Sequence, residues 1–152
     1  MSGLRELGTA LQALKEDAQQ KACRAATGAA AQVMKKAVAA KALQQPTLAD
    51  APFKLNGQIE QPGLIARNVI VKRVKNSELT SEFLVAVRSN RKNGYVGRLA
   101  SQNEFGTVKM AAQPFMRPAY EATAEESAKT MVKVLDARIK QAARRAAKGK
   151  TA

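Results

Sequence analysis

The chain has 152 residues, 45% of them apolar and only 4% aromatic, with one Cys, no Trp and no His. Its net charge is +14, from 26 Lys and Arg against 12 Asp and Glu. This length and apolar content fit one globular domain and exclude a disordered chain, while a single Cys excludes an intramolecular disulfide.

The absence of His removes the commonest general base and the commonest zinc ligand. Cys23 lies in an Ala-rich stretch, where a small buried hydrophobe is expected. No apolar run is long enough to span a bilayer, and the first 21 residues carry Glu6, Glu16 and Asp17 without an apolar stretch of the secretion-signal kind. The positive charge favours polyanions or acidic protein surfaces as partners.

The first element is a helix. Leu4, Leu7, Leu11, Leu14, Ala18, Ala22, Ala25, Ala29, Val33 and Ala37 recur at three- and four-residue steps. Proline is absent before Pro46, so one helix is expected from about Ser2 to about Ala42, roughly 60 Å long. Gly8 and Gly28 are its weak points, and Thr27-Gly28 is the expected bend. The stripe turns from Leu to Ala after Leu14, so the helix needs a neighbour to be stable.

Residues 44–63 form a connector, punctuated by Pro46, Pro52, Gly57, Pro62 and Gly63, with a short strand near Phe53 to Leu55. Leu64 to Asn68 reads as a helical turn. Val69 to Val74 and Glu82 to Val87 alternate as strands do, with Phe83, Val85 and Val87 on one face. The short polar stretch between them predicts an antiparallel hairpin. A basic loop follows, Arg88 to Gly94, then a short helix over Tyr95 to Phe105 stopped by Gly106. Thr107 to Ala112 is expected to be a strand or an extended arm.

The last helix is expected to start at Arg117-Pro118, since Pro suits the first helical position. Ala119, Ala122, Met131, Leu135, Ile139, Ala142 and Ala146 give its apolar stripe. Acids near its start and bases near its end agree with the helix dipole. The whole predicts a single α+β domain with long N-terminal and C-terminal helices packed on a small antiparallel sheet. Its parts are an N-terminal helix (1–43), the connector (44–63), the sheet with a short helix (64–112) and a C-terminal helix (113–148).

Catalysis finds little support. The adjacent acids Glu16-Asp17 and Glu125-Glu126 point in different directions on a helix, so neither pair presents two carboxylates to one substrate. One Cys without His leaves only carboxylates as metal ligands, and no Gly-rich phosphate loop is present. No enzymatic activity, cofactor or metal is therefore expected. Basic residues cluster in two places. The segment Ser127 to Ala152 carries eight, among them Lys140, Arg144, Arg145 and Lys148, against Asp136 alone. Arg88, Arg91, Lys92 and Arg98 form a second group beside Tyr95. Both are candidate contacts for DNA or an acidic partner, through the backbone and without base reading. The bland alternative for each is a solvated face.

One stretch is more specific. Glu104-Phe105-Gly106-Thr107, then Ala112-Gln113-Pro114-Phe115-Met116-Arg117-Pro118-Ala119 after a short spacer, resembles the signature of tail-completion proteins of long-tailed, siphovirus-type bacteriophages, the head–tail joining family typified by a lambdoid phage of the HK group. The likeness covers about Gly63 to Glu121 by motif and the rest by layout. Gln61-Pro62-Gly63-Leu64 keeps the Gly of that family's turn ahead of the first strand, but lacks its Thr. The resemblance implies a structural virion protein of the neck, assembled in the bacterial host cytoplasm. It also implies a homo-oligomeric ring, a hexamer, between the tail terminator and the head-side connector or stopper, with DNA in its lumen and no membrane. Free subunits are expected to be monomers. A small basic DNA-binding protein without base-specific readout is the alternative.

The motif residues have physical roles of their own. Phe105 and Phe115 are expected as apolar anchors at either end of the arm, and Gly106 as the point of chain reversal. Pro114 and Pro118 fix the backbone around Phe115 and Arg117. Arg117 is expected to pair with Glu104.

Overall fold

The computed structural model describes residues 2–12, 14–44, 53–55, 58–60, 63–74, 81–89 and 94–148. In chain order the elements are α1 (Ser2–Gln12), α2 (Glu16–Leu43), β1 (Phe53–Leu55), β2 (Gln58–Glu60), α3 (Leu64–Arg67), β3 (Val69–Val74), β4 (Glu82–Val87), α4 (Gly94–Phe105) and α5 (Met116–Lys148). This is an α+β fold with long terminal helices and a small sheet, as expected. The chain divides into two compact units, one of Met1–Ala31, Arg73–Leu84 and Glu125–Ala152, the other of Gln32–Lys72 and Val85–Ala124.

In the first unit, the single N-terminal helix expected from the sequence is in fact two. α1 ends at Gln12 and α2 begins at Glu16, and α2 runs unbroken through Thr27-Gly28. The junction between the two helices is held by the Gln19 side-chain amide, which donates to the carbonyls of Gln12 (3.2 Å) and Leu14 (2.8 Å). The first of these satisfies a carbonyl that the end of α1 leaves without a helical partner. Glu16 and Asp17 occupy the first turn of α2, where negative charge is favoured. Gly28 lies inside continuous α2 and marks a close approach. A Cβ there would sit 3.3 Å from Cζ of Phe83, so the missing side chain lets the ring lie against the helix. Beside it the hydroxyls of Thr27 and Ser81 share a hydrogen bond of 3.0 Å. Ala22, Ala26 and Ala31 are buried on α2, and Ser127 and Ile139 on α5. Met131, placed in the apolar stripe from the sequence, is exposed, and Ser127 takes an inner position instead. Cys23 is half-buried.

The second unit holds the principal core. Val38 and Ala42 of α2, Leu64 and Ile65 of α3, Val69 of β3, Val96 and Ala100 of α4, and Phe115 and Ala119 around the start of α5 form one cluster. Gly63 enters α3 at φ 75°, a conformation that suits glycine. Asn68 closes that turn by donating from its side chain to the Leu64 carbonyl at 2.8 Å. The strands β3 and β4 have the bounds the alternation predicted and pair in a two-stranded sheet. The Arg88 amide, just past β4, donates to the Asn68 carbonyl, just before β3, so the two strands run in opposite directions.

The connector holds more structure than its prolines suggest. β1 and β2 pair antiparallel, Phe53 with Glu60 and Leu55 with Gln58, as a second two-stranded sheet. Pro46, Pro52, Gly57 and Pro62 lie outside the described residues, as do residues 75–80 of the second hairpin.

Candidate functional site

The site is built on the stretch from α4 to the first turn of α5, all within the second unit. Val96, Ala100 and Asn103 recur at helical spacing and are buried, which fixes the inward face of α4. Phe105, two residues past Asn103, therefore points away and is 74% exposed. This corrects the expectation that it anchors the arm. Phe115 does serve as an anchor, with no exposed surface at all.

Gly106 stops α4 at φ 75°, and its amide donates to the Gln102 carbonyl at 2.7 Å. A Cβ at this position would lie 2.8 Å from the Ala112 nitrogen and 2.9 Å from the Met110 oxygen. Both are backbone atoms, so only glycine fits. The segment expected as a strand or extended arm begins instead with a tight turn. Thr107 and Met110 exchange two backbone hydrogen bonds, 2.8 and 3.2 Å, leaving Val108 and Lys109 at its tip. Val108 is fully exposed. The returning segment is fastened by the Gln113 amide, which donates to the Asn103 carbonyl at 2.7 Å.

Glu104 ties this turn to α5. Its Oε2 accepts from the amides of Phe115 (2.8 Å) and Met116 (2.9 Å), and its Oε1 from the amide of Arg117 (3.1 Å). The next residue is Pro118, which has no N–H to satisfy. The Ala119 amide then makes the first bond of the helix ladder, to the Phe115 carbonyl. One carboxylate and one proline thus account for every orphan donor of the helix start. The helix contains no acid in its own first turn, so the favourable negative charge comes from α4. The Glu104–Arg117 pairing expected from the sequence is made by the Arg117 backbone amide rather than its guanidinium. Helix α5 begins at Met116, so Pro118 sits in the third helical position and not the first. Pro114 is exposed on the approach.

Beyond the helix start lies an open apolar cavity of about 280 Å³, lined by Met34, Val38, Val85, Met116, Arg117 and Tyr120. Tyr120 is more than half exposed. The second unit therefore offers exposed Phe105 and Val108 in the motif and an open apolar recess beside the start of α5.

The basic groups divide between the units. Arg88 and Arg98 are exposed in the second unit, while Arg91 and Lys92 lie outside the described residues. In the first unit Arg144 and Arg145 are exposed, and Lys140 is ion-paired with Asp136 at 2.8 Å. The Lys148 side chain lies outside the description. Among the described residues, no group of three or more potential metal ligands comes together, and no helix is long and apolar enough to cross a membrane. Compared with known protein families, curated proteins and solved structures, the chain matches none.

Proposed function

We propose that the chain is a structural assembly subunit of the phage tail-completion type, joining the head-proximal end of a tail to the head-side connector, with no covalent chemistry. The observation that carries this reading is the contrast within the Glu104–Ala119 stretch. A capping carboxylate, a positive-φ glycine and a buried Phe115 hold the turn rigidly, yet Phe105 and Val108 at that turn are left in water. Exposed apolar side chains on a pinned turn are what a docking surface requires. A ring of subunits needs heterologous contacts, for which a projecting turn and a recess on one protomer are suited. The same stretch carries the resemblance to head–tail joining proteins. Deleting the gene from the phage that encodes it should leave separate heads and tails in electron micrographs. Wild-type protein supplied in trans should restore joining, and a folded Phe105→Ser/Val108→Ser variant should not. Normal virions without the protein would end this reading.

A second reading is a small basic nucleic-acid-binding protein. It draws on the +14 net charge and on exposed Arg144 and Arg145 near the end of α5.

A further inference from the structure

We propose that a cationic groove between the first turns of α2 and the last turns of α5 binds the phosphodiester backbone of nucleic acid, without regard to sequence. This inference stands on the first unit alone and does not depend on the assembly reading. The groove is a half-open cavity of about 510 Å³. Lys15 and Lys21 line it from the α2 side, Arg138 and Arg145 from α5, and Asp17 is the one carboxylate among its lining residues. Ala18, Ala22 and Ala142 make a smooth floor.

Three features point to phosphate. The four cations lack carboxylate partners: the ion pairs among the described residues are Lys129–Glu125 and Lys140–Asp136, both outside the groove. Arg138 bonds only a neutral group, the Gln141 side-chain oxygen at 3.1 Å. Unpaired like charges along a concave wall focus the field outward and hold a counter-anion there. The second feature is spacing. Arg138 and Arg145 are two turns apart on one face, about 10 Å along the axis, which spans about three phosphates of one strand of a duplex. Guanidinium forks match phosphate oxygens in pairs. The third is what the groove lacks. Its lining contains no aromatic side chain on which an unpaired base could stack, so it suits the outside of a duplex better than a single strand. Phosphate contact alone positions without reading sequence.

The full chain should retain a fluorescent 25-base-pair duplex of arbitrary sequence in anisotropy titrations, with affinity falling steeply as salt rises. Arg138→Gln/Arg145→Gln should weaken binding at least tenfold and make the log–log salt slope shallower by about two. Lys129→Gln/Lys133→Gln removes the same charge from the same helix outside the groove and should change affinity less than twofold. Asp17→Asn should tighten binding several-fold. All of these side chains are exposed, and circular dichroism should show the same fold throughout. Inorganic phosphate or a mononucleotide that displaces the duplex at submillimolar concentration would assign the groove to small phosphates, with the same chemistry. Equal losses from the groove and control pairs would overturn the site, as would tighter binding to polyglutamate than to DNA at matched charge.

Discussion

Glu104 illustrates how one side chain can do work that its neighbours in the sequence do not announce. Its carboxylate replaces the missing cap of a 33-residue helix by accepting three backbone amides at 2.8 to 3.1 Å. Hydrogen bonds to a charged acceptor contribute about 1.5–3 kcal/mol, and cap deletions typically cost about 1 kcal/mol. Glu104→Ala should therefore lower stability by about 2–3 kcal/mol in urea denaturation, and Glu104→Gln, which keeps an oxygen but loses the charge, by about half as much. The two phenylalanines of the motif supply the contrast. Phe115→Ala should cost about 3–5 kcal/mol, the loss of a fully buried ring. Phe105→Ser, at an exposed ring, should stay within about 0.5 kcal/mol. A Phe105 variant as damaging as the Phe115 one would mean that the outward phase of α4 is wrong.

At the scale of elements, the strands and α4 were legible because their signals are local. Val69 to Val74 and Glu82 to Val87 are short runs rich in β-branched residues, bounded by polar ones, and Gly106 ends α4 where its positive φ is needed. The break between α1 and α2 was not legible. Ala13, Leu14 and Lys15 are all good helix formers, and the interruption is made by the Gln19 amide reaching back to carbonyls the pattern does not mark. The inner face of α2 was blurred for a related reason: Ala occurs on every side of it, so burial at Ala22, Ala26 and Ala31 follows neighbours rather than periodicity. Gly28, a weak point by helix propensity, is in the fold a seat for Phe83. That reading makes Gly28→Ala a test. Alanine gains about 1 kcal/mol of helix propensity over glycine, but its Cβ would need the ring to retreat by a few tenths of an ångström from 3.3 Å. Phe83 is only half-buried, and a ring open to water on one side yields at small cost, so the net should be a gain of about 0.5 kcal/mol. Gly28→Leu should reverse the sign and lose about 1–3 kcal/mol by displacing the ring. Chemical denaturation of the two variants side by side would check both signs.

For the whole molecule, the sequence displayed an excess of charge but not where it converges. Lys15 and Lys21 are separated from Arg138 and Arg145 by more than a hundred residues, and only the packing of the first unit brings them to one cavity. The same excess bears on stability. Twenty-six cations against twelve acids repel one another in the compact state. The ion pairs among the described residues are both exposed, four residues apart on one helix, and each contributes at most a few tenths of a kcal/mol. Self-repulsion should therefore outweigh attraction, and screening should stabilise the fold. Raising NaCl from about 10 mM to about 150 mM shortens the Debye length from about 30 Å to about 8 Å, so most repulsion between distant exposed cations is removed while short contacts survive. The melting temperature should rise by a few degrees over that range, and Arg138→Gln/Arg145→Gln should show a smaller rise, because two repelling charges of the groove are already gone. A melting temperature that falls with salt would mean that favourable pairs, not crowded cations, dominate the electrostatics of the fold.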